Sequence, residues 1–172
     1  MHYLVVLTCL LILPAQVPAN VVTFPGAVAE GYSAVAEVNG DLQLPNGKAG
    51  GQIPVVLILH GSGGIDGRGD FHGKALKEAG IGTLEIFMFS RDNRPRGGSR
   101  ENFTHMYGAL KYLASRSEID PRRIGVMGFS WGGGLSCCSV GEYYSAVHGW
   151  ADPLRRSRTI LSCVLVPTKG DV

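Results

Sequence analysis

The spacing of apolar residues changes repeatedly along the chain. Residues 55–59, Val-Val-Leu-Ile-Leu, form an unbroken apolar run rich in β-branched side chains. Such a run predicts a strand buried on both faces, as in a parallel sheet. Phe71, Ala75, Leu76 and Ala79 then fall at helical spacing, with Asp70 as N-cap and Gly80 as C-terminal stop. Residues 81–87 read as a second strand. Residues 102–115 form the clearest helix, with Phe103, Met106, Tyr107, Leu110, Leu113 and Ala114 on one side. Asp120-Pro121 predicts a turn, residues 124–127 a third strand, and residues 128–134 a turn into another helix. Upstream, residues 20–54 read as short extended pieces. Asn39-Gly40 is the expected hairpin turn between residues 34–38 and 42–44. Pro45-Asn46-Gly47 and Gly50-Gly51 are further turns. The stretch 141–172 is less orderly, with residues 160–166 as a possible fourth strand. Strand alternating with helix predicts an α/β domain with a mostly parallel sheet and flanking helices.

The start of the chain breaks this alternation. Residues 4–13 are apolar apart from Thr8 and Cys9, Pro14 ends the run, and Val17-Pro18-Ala19 supplies small residues at signal-peptidase spacing. This predicts an export signal over residues 1–19, a single domain over residues 20–172, and a secreted or periplasmic location. A buried strand or an uncleaved anchor is the alternative, because Met1-His2-Tyr3 carries no Lys or Arg. No other apolar run is long enough to span a bilayer, so no stable span is expected after cleavage.

Composition narrows the function classes. The chain has 172 residues, a formal charge of +2, 45% hydrophobic and 17% charged residues. That excludes a disordered polyelectrolyte and gives no reason to expect nucleic acid as partner. Cys137, Cys138 and Cys163 would remain after signal cleavage, without zinc-like spacing. They read as small buried thiols rather than redox groups.

The strongest chemical signal is Gly128-x-Ser130-x-Gly132 between a strand and a helix. A serine on such a tight turn projects above the sheet, and the small flanking residues let strand and helix approach. The N–H of Trp131 then points at a developing oxyanion, helped by the helix N-terminus. His60-Gly61-Ser62-Gly63-Gly64 follows the first core strand and can offer a second N–H, that of Ser62. It lacks the Gly-Lys-Ser/Thr of a Walker loop, and Asp66 stands where a dinucleotide fingerprint needs Gly. His60 itself reads as a structural hydrogen-bonding residue at a strand end. Arg91, Arg94, Arg96 and Arg100 form a basic loop after a strand end. That loop is either a solvated surface or a contact for a carboxylate substrate. Glu85, inside an apolar strand, is either a strand-end polar group or a perturbed acid. The Trp131 side chain either lines a pocket or packs.

Residues 55–64 and the run from Ile119 through Asp120-Pro121-Arg122-Arg123-Ile124 to Gly128-Phe129-Ser130-Trp131-Gly132-Gly133 resemble the dienelactone hydrolase family of α/β-hydrolases. The resemblance covers residues from about Leu42 to about Leu135. It implies hydrolysis of a small-molecule ester or lactone through an acyl-enzyme, without metal or organic cofactor. The family's nucleophile falls on Ser130, where founding members have Cys, and its oxyanion donors fall on Trp131 and Ser62. The fold orders the triad as nucleophile, acid, then base. His148 is the one histidine downstream of Ser130, and Asp152 follows it in the wrong order. Asp171 is better placed for the acid, with no histidine after it. The expectation is therefore an α/β-hydrolase domain incomplete at its C-terminal end. Three readings compete: a dienelactone-type hydrolase, an inactive remnant binding a small acyl ligand, and a fragment that self-associates through an open sheet edge.

Overall fold

The computed structural model describes residues 20–27, 35, 37–45, 51–139 and 165–166. The expected signal over residues 1–19, and His148, Asp152, Cys163 and Asp171, lie outside the described residues. Strands β1 (Val21–Phe24), β2 (Val38–Gln43), β3 (Ile53–Leu59), β4 (Gly82–Phe87), β5 (Ile119–Phe129) and β6 (Leu165–Val166) form one sheet. Their order is β1-β2-β4-β3-β5-β6. The pairs β3–β4, β3–β5 and β5–β6 are parallel, while β1 and β2 add antiparallel edges. Helix α1 (Arg68–Glu78) joins β3 to β4, α2 (Phe103–Ser115) joins β4 to β5, and α3 (Trp131–Ser139) follows β5. This is an α/β-hydrolase type of sheet with flanking helices. No helix among the described residues is long and apolar enough to cross a membrane.

Alternation along the central strands divides their side chains between two faces. Val55, Leu57 and Leu59 of β3, with Ile124 and Val126 of β5, join Met106, Leu110 and Leu113 of α2 and Leu135 of α3 in the large core cluster. Ile58, Met127 and Phe129 form a small cluster on the other face, where Leu76 of α1 packs. The predicted α2 stripe holds: Phe103, Met106, Leu110 and Leu113 are buried, and Tyr107 and Ala114 pack against that cluster.

Several local expectations are corrected. Asn39-Gly40 is no turn but lies within β2, where Asn39 pairs with Thr23 on one side and Phe87 on the other. Gly40 suits that strand because an added Cβ would stand 2.8 Å from Leu84 Cδ1. Asp120-Pro121 lies inside β5, at the level where the β3 register shifts between Ile53 and Val55. Asp120 satisfies this irregularity by accepting from Arg122 N (2.9 Å) and Arg123 Nε (2.7 Å). Asp70 is not the cap of α1. The helix starts at Arg68 after a left-handed Gly67, with Asp70 in its first turn. Asp66 instead accepts the Arg68 N–H at 3.3 Å. The inward face of α1 is also different: Phe71 is 76% exposed, and Gly69 and Gly73 are the buried positions. Gly80 does end α1, with φ +78° and N–H donation from Gly80 to Lys77 O and from Ile81 to Leu76 O. Cys137 is disulfide-bonded rather than a free thiol.

Candidate active site

Pairing of β3 with β5 ends at Leu59 and Gly128. Beyond it, the chain after β3 turns toward the α1 face and the chain after β5 toward the α2–α3 face. Such a divergence at the carboxyl ends of parallel strands opens a crevice where ligands of α/β sheets bind. Both glycine-rich motifs sit here.

Ser130 is exposed and has φ +47°, the one non-glycine residue with positive φ among those described. A left-handed serine costs about 1–3 kcal/mol unless its surroundings fix it. Those surroundings are two backbone contacts. A Cβ on Gly128 would fall inside the backbone of Gly132, and a Cβ on Gly132 inside the Leu59 carbonyl. The elbow therefore holds its shape because β3, β5 and α3 touch without side chains between them. The Ser130 carbonyl accepts the Gly134 N–H at 2.9 Å and so begins α3. Trp131 occupies the first position of that helix, where an N–H has no intrahelical acceptor. Its side chain packs. The indole Nε1 donates to Asn102 Oδ1 at 2.9 Å, and the ring meets Phe89 edge-on at 5.3 Å.

His60 holds the other motif, as its position at a strand end suggested. Nδ1 donates to Gly61 O (2.8 Å), which leaves Nε2 to accept from Met88 N (3.0 Å). Burial pushes its pKa below the usual histidine value, consistent with a neutral ring used on both sides. Gly64 N–H donates to Gly61 O at 3.1 Å, closing a turn with Ser62 at its corner. A Cβ on Gly61 would lie 3.3 Å from Phe129 O, so this turn abuts the residue before Ser130. Ser62 and Trp131 are thus brought to neighbouring strand ends.

Residues that the sequence did not single out surround these motifs. Arg68 forks onto Asp66 through Nε at 2.9 and 3.0 Å and Nη2 at 2.7 Å. Its guanidinium lies 4.9 Å over the Phe129 ring. That bonding holds the Asp66 carboxyl below the usual range. His72 stacks on Phe129 at 5.6 Å. Asn102 is buried against the indole. The Asp66–Arg68 pair is local, but no local pattern marks the contacts with Phe129 and Trp131, which strand order brings together. In the basic loop, Arg91, Arg94 and Arg96 are exposed, and Arg94 lies 5.7 Å over the Trp131 ring. Glu85 is a buried acid. Burial foremost, with Asp70, Asp66 and Asp41 around it, raises its pKa to about 7. No trio of His, Cys, Asp or Glu side chains among the described residues could hold a metal ion.

No family model matches the chain, and no curated protein matches it. Solved structures do. A hypothetical protein of Pseudomonas aeruginosa is 22% identical, with TM-score 0.54, over 71% of this chain and 39% of its own. The α/β hydrolase GrgF of Penicillium sp. sh18 is 15% identical, with TM-score 0.54, over 69% of this chain and 40% of its own. A dienelactone hydrolase of Anabaena variabilis is 26% identical, with TM-score 0.49, over 64% of this chain and 53% of its own. The matches at TM-score 0.54 establish the fold, and the chain spans about half or less of these proteins.

Proposed function

We propose that the chain hydrolyses a carboxylic ester or lactone through a serine acyl-enzyme, in the manner of dienelactone hydrolases. The observation that carries this reading is the left-handed, exposed Ser130 on an elbow clasped by Gly128 and Gly132. In the reaction, Ser130 Oγ bonds to the substrate carbonyl carbon while its proton passes to a general base. The carbonyl oxygen becomes an oxyanion facing the N–H groups of Trp131 and Ser62. Collapse expels the alcohol, which takes the proton back from the base, and water then releases the acid by the same route. In this reading His148 serves as the base and Asp171 as the acid; both lie outside the described residues. Export fits the apolar run at residues 4–13, and the disulfide at Cys137 suits an oxidising compartment.

A second reading is a small-ligand binder that keeps the elbow without turnover. It is favoured by chain order, since His148 precedes both Asp152 and Asp171 whereas the fold places the acid before the base. A serine without its base loses about 10⁴- to 10⁶-fold in rate. Labelling with a fluorophosphonate, read by intact mass with Ser130→Ala as control, separates the two. One adduct on the wild type and none on the variant supports the hydrolase. No adduct on a folded wild type leaves the binder.

A further inference from the structure

An oxyanion hole needs two N–H groups held at a fixed separation. Here they come from segments that no strand pairing joins, because the β3–β5 ladder stops at Leu59 and Gly128. On the α1 side the Arg68 side chain spans the gap. Arg68 Nη2 occupies the space beside Gly61, 2.8 Å from where a Cβ would stand, and the guanidinium face covers the Phe129 ring at 4.9 Å. Gly61 directly precedes Ser62, and Phe129 directly precedes Ser130. Asp66 orients the guanidinium through both Nε and Nη2. Its side chain is 30% exposed, and the Phe129 ring that it covers is buried.

From this geometry we infer that Arg68 is a positioning residue that locks the Gly61–Gly64 turn against the Phe129–Ser130 elbow and so sets the spacing of the Ser62 and Trp131 N–H groups. The inference rests on the proposed hydrolase reading of Ser130. A planar, delocalised cation is needed, because the contact combines a two-pronged ion pair with stacking on a ring. Lysine offers neither.

The test uses Arg68→Met, Arg68→Lys and Asp66→Asn in the full chain, with Arg122→Met as a control for loss of a surface cation. The first readout is the amide resonances of Ser62 and Trp131. Arg68→Met should shift both and Arg122→Met neither. The second is acylation. The rate of fluorophosphonate adduct formation on Ser130 should fall about 10- to 100-fold in Arg68→Met, the range expected for donors displaced by about 1 Å. With p-nitrophenyl acetate the loss should lie in kcat, with KM nearly unchanged, and Arg68→Lys should recover little. Unmoved amide resonances, an unchanged kcat, or a loss confined to KM would overturn the inference. If Arg68→Met fails to fold, Asp66→Asn, which only releases the fork, must shift the same two resonances or the inference fails. A wild type that forms no adduct removes the hydrolase reading alone, and the resonances still decide the role of Arg68.

Discussion

The two faces of the sheet are covered by different means. On one, α2 and α3 close over a continuous apolar cluster that includes Leu57, Leu59, Leu84, Ile86, Met106, Leu110 and Leu113. On the other, among the described residues, α1 covers a small cluster of Ile58, Met127 and Phe129, with Val56 and Leu76 packed against it. That helix approaches β4 through missing side chains. Gly73 sits over Thr83, and a Cβ on Gly69 would fall inside the Glu85 carboxyl. The first face stabilises by burying area, at roughly 25 cal/mol per Å². Among the described residues the second holds the smaller cluster, and it brings Arg68 to Phe129 and Gly61. Among the described residues, the large apolar cluster and the contacts around the candidate site thus lie on different faces, and the two glycine-rich motifs meet at the seam.

Substitutions that treat the faces differently test this division. The largest loss is expected on the α2 face. Leu113 is fully buried, and Leu113→Ala should cost about 2–5 kcal/mol, read as a lower urea midpoint. A loss under about 1 kcal/mol would mean that the large cluster does not carry the fold.

The next effect is a pH dependence with opposite signs on the two sides. Glu85, beneath α1, has its folded pKa raised from 4.5 to about 7. The native state therefore holds a proton that the unfolded chain has released. That contribution is fully present below pH 4.5 and is lost as pH rises through about 7. Its size is up to about 3 kcal/mol. His105, on α2, has its folded pKa lowered from 6.5 to about 4, chiefly by burial. Its contribution is present above 6.5 and is lost as pH falls through about 4. In the wild type the two slopes offset each other where the windows overlap. Glu85→Gln should leave stability rising with pH through the His105 window, measured by urea melts across pH 4–8. An unaltered pH profile would show that Glu85 titrates normally.

Smaller still is the cost of crowding α1. Gly69→Ala should lose about 1–3 kcal/mol by pushing the helix off the Glu85 carboxyl. Adding Glu85→Ala should recover part of it, whereas strict additivity would refute the contact. The smallest effect is at Phe71, 76% exposed. Phe71→Ser should leave the melting midpoint within error, and a clear drop would mean that this ring is covered in solution.

Much of the site could be read from neighbouring residues. The Gly128-x-Ser130-x-Gly132 pattern implied a strained elbow, and φ +47° at Ser130 is that strain. His60 was legible as a strand-end anchor because a buried imidazole there must find two partners. The indole of Trp131 was left open between pocket and packing, and Asn102 decided for packing. Arg68 was not legible, since nothing in Gly67-Arg68-Gly69 says that Phe129 will lie beneath it.

The same physics separates what sequence determined from what tertiary structure decided. Strand and helix periods, the elbow and the α2 stripe depend on residues a few positions apart, and these were fixed along the chain. Asn39-Gly40 became strand interior because β1 and β4 pair on both its sides, and pairing outweighs a local turn preference. The inward face of α1 was set by glycines rather than by Phe71 because β4 presents Thr83 and Glu85 there. An apolar period cannot reveal a seat formed where side chains are absent. That seat depends on what another strand places opposite.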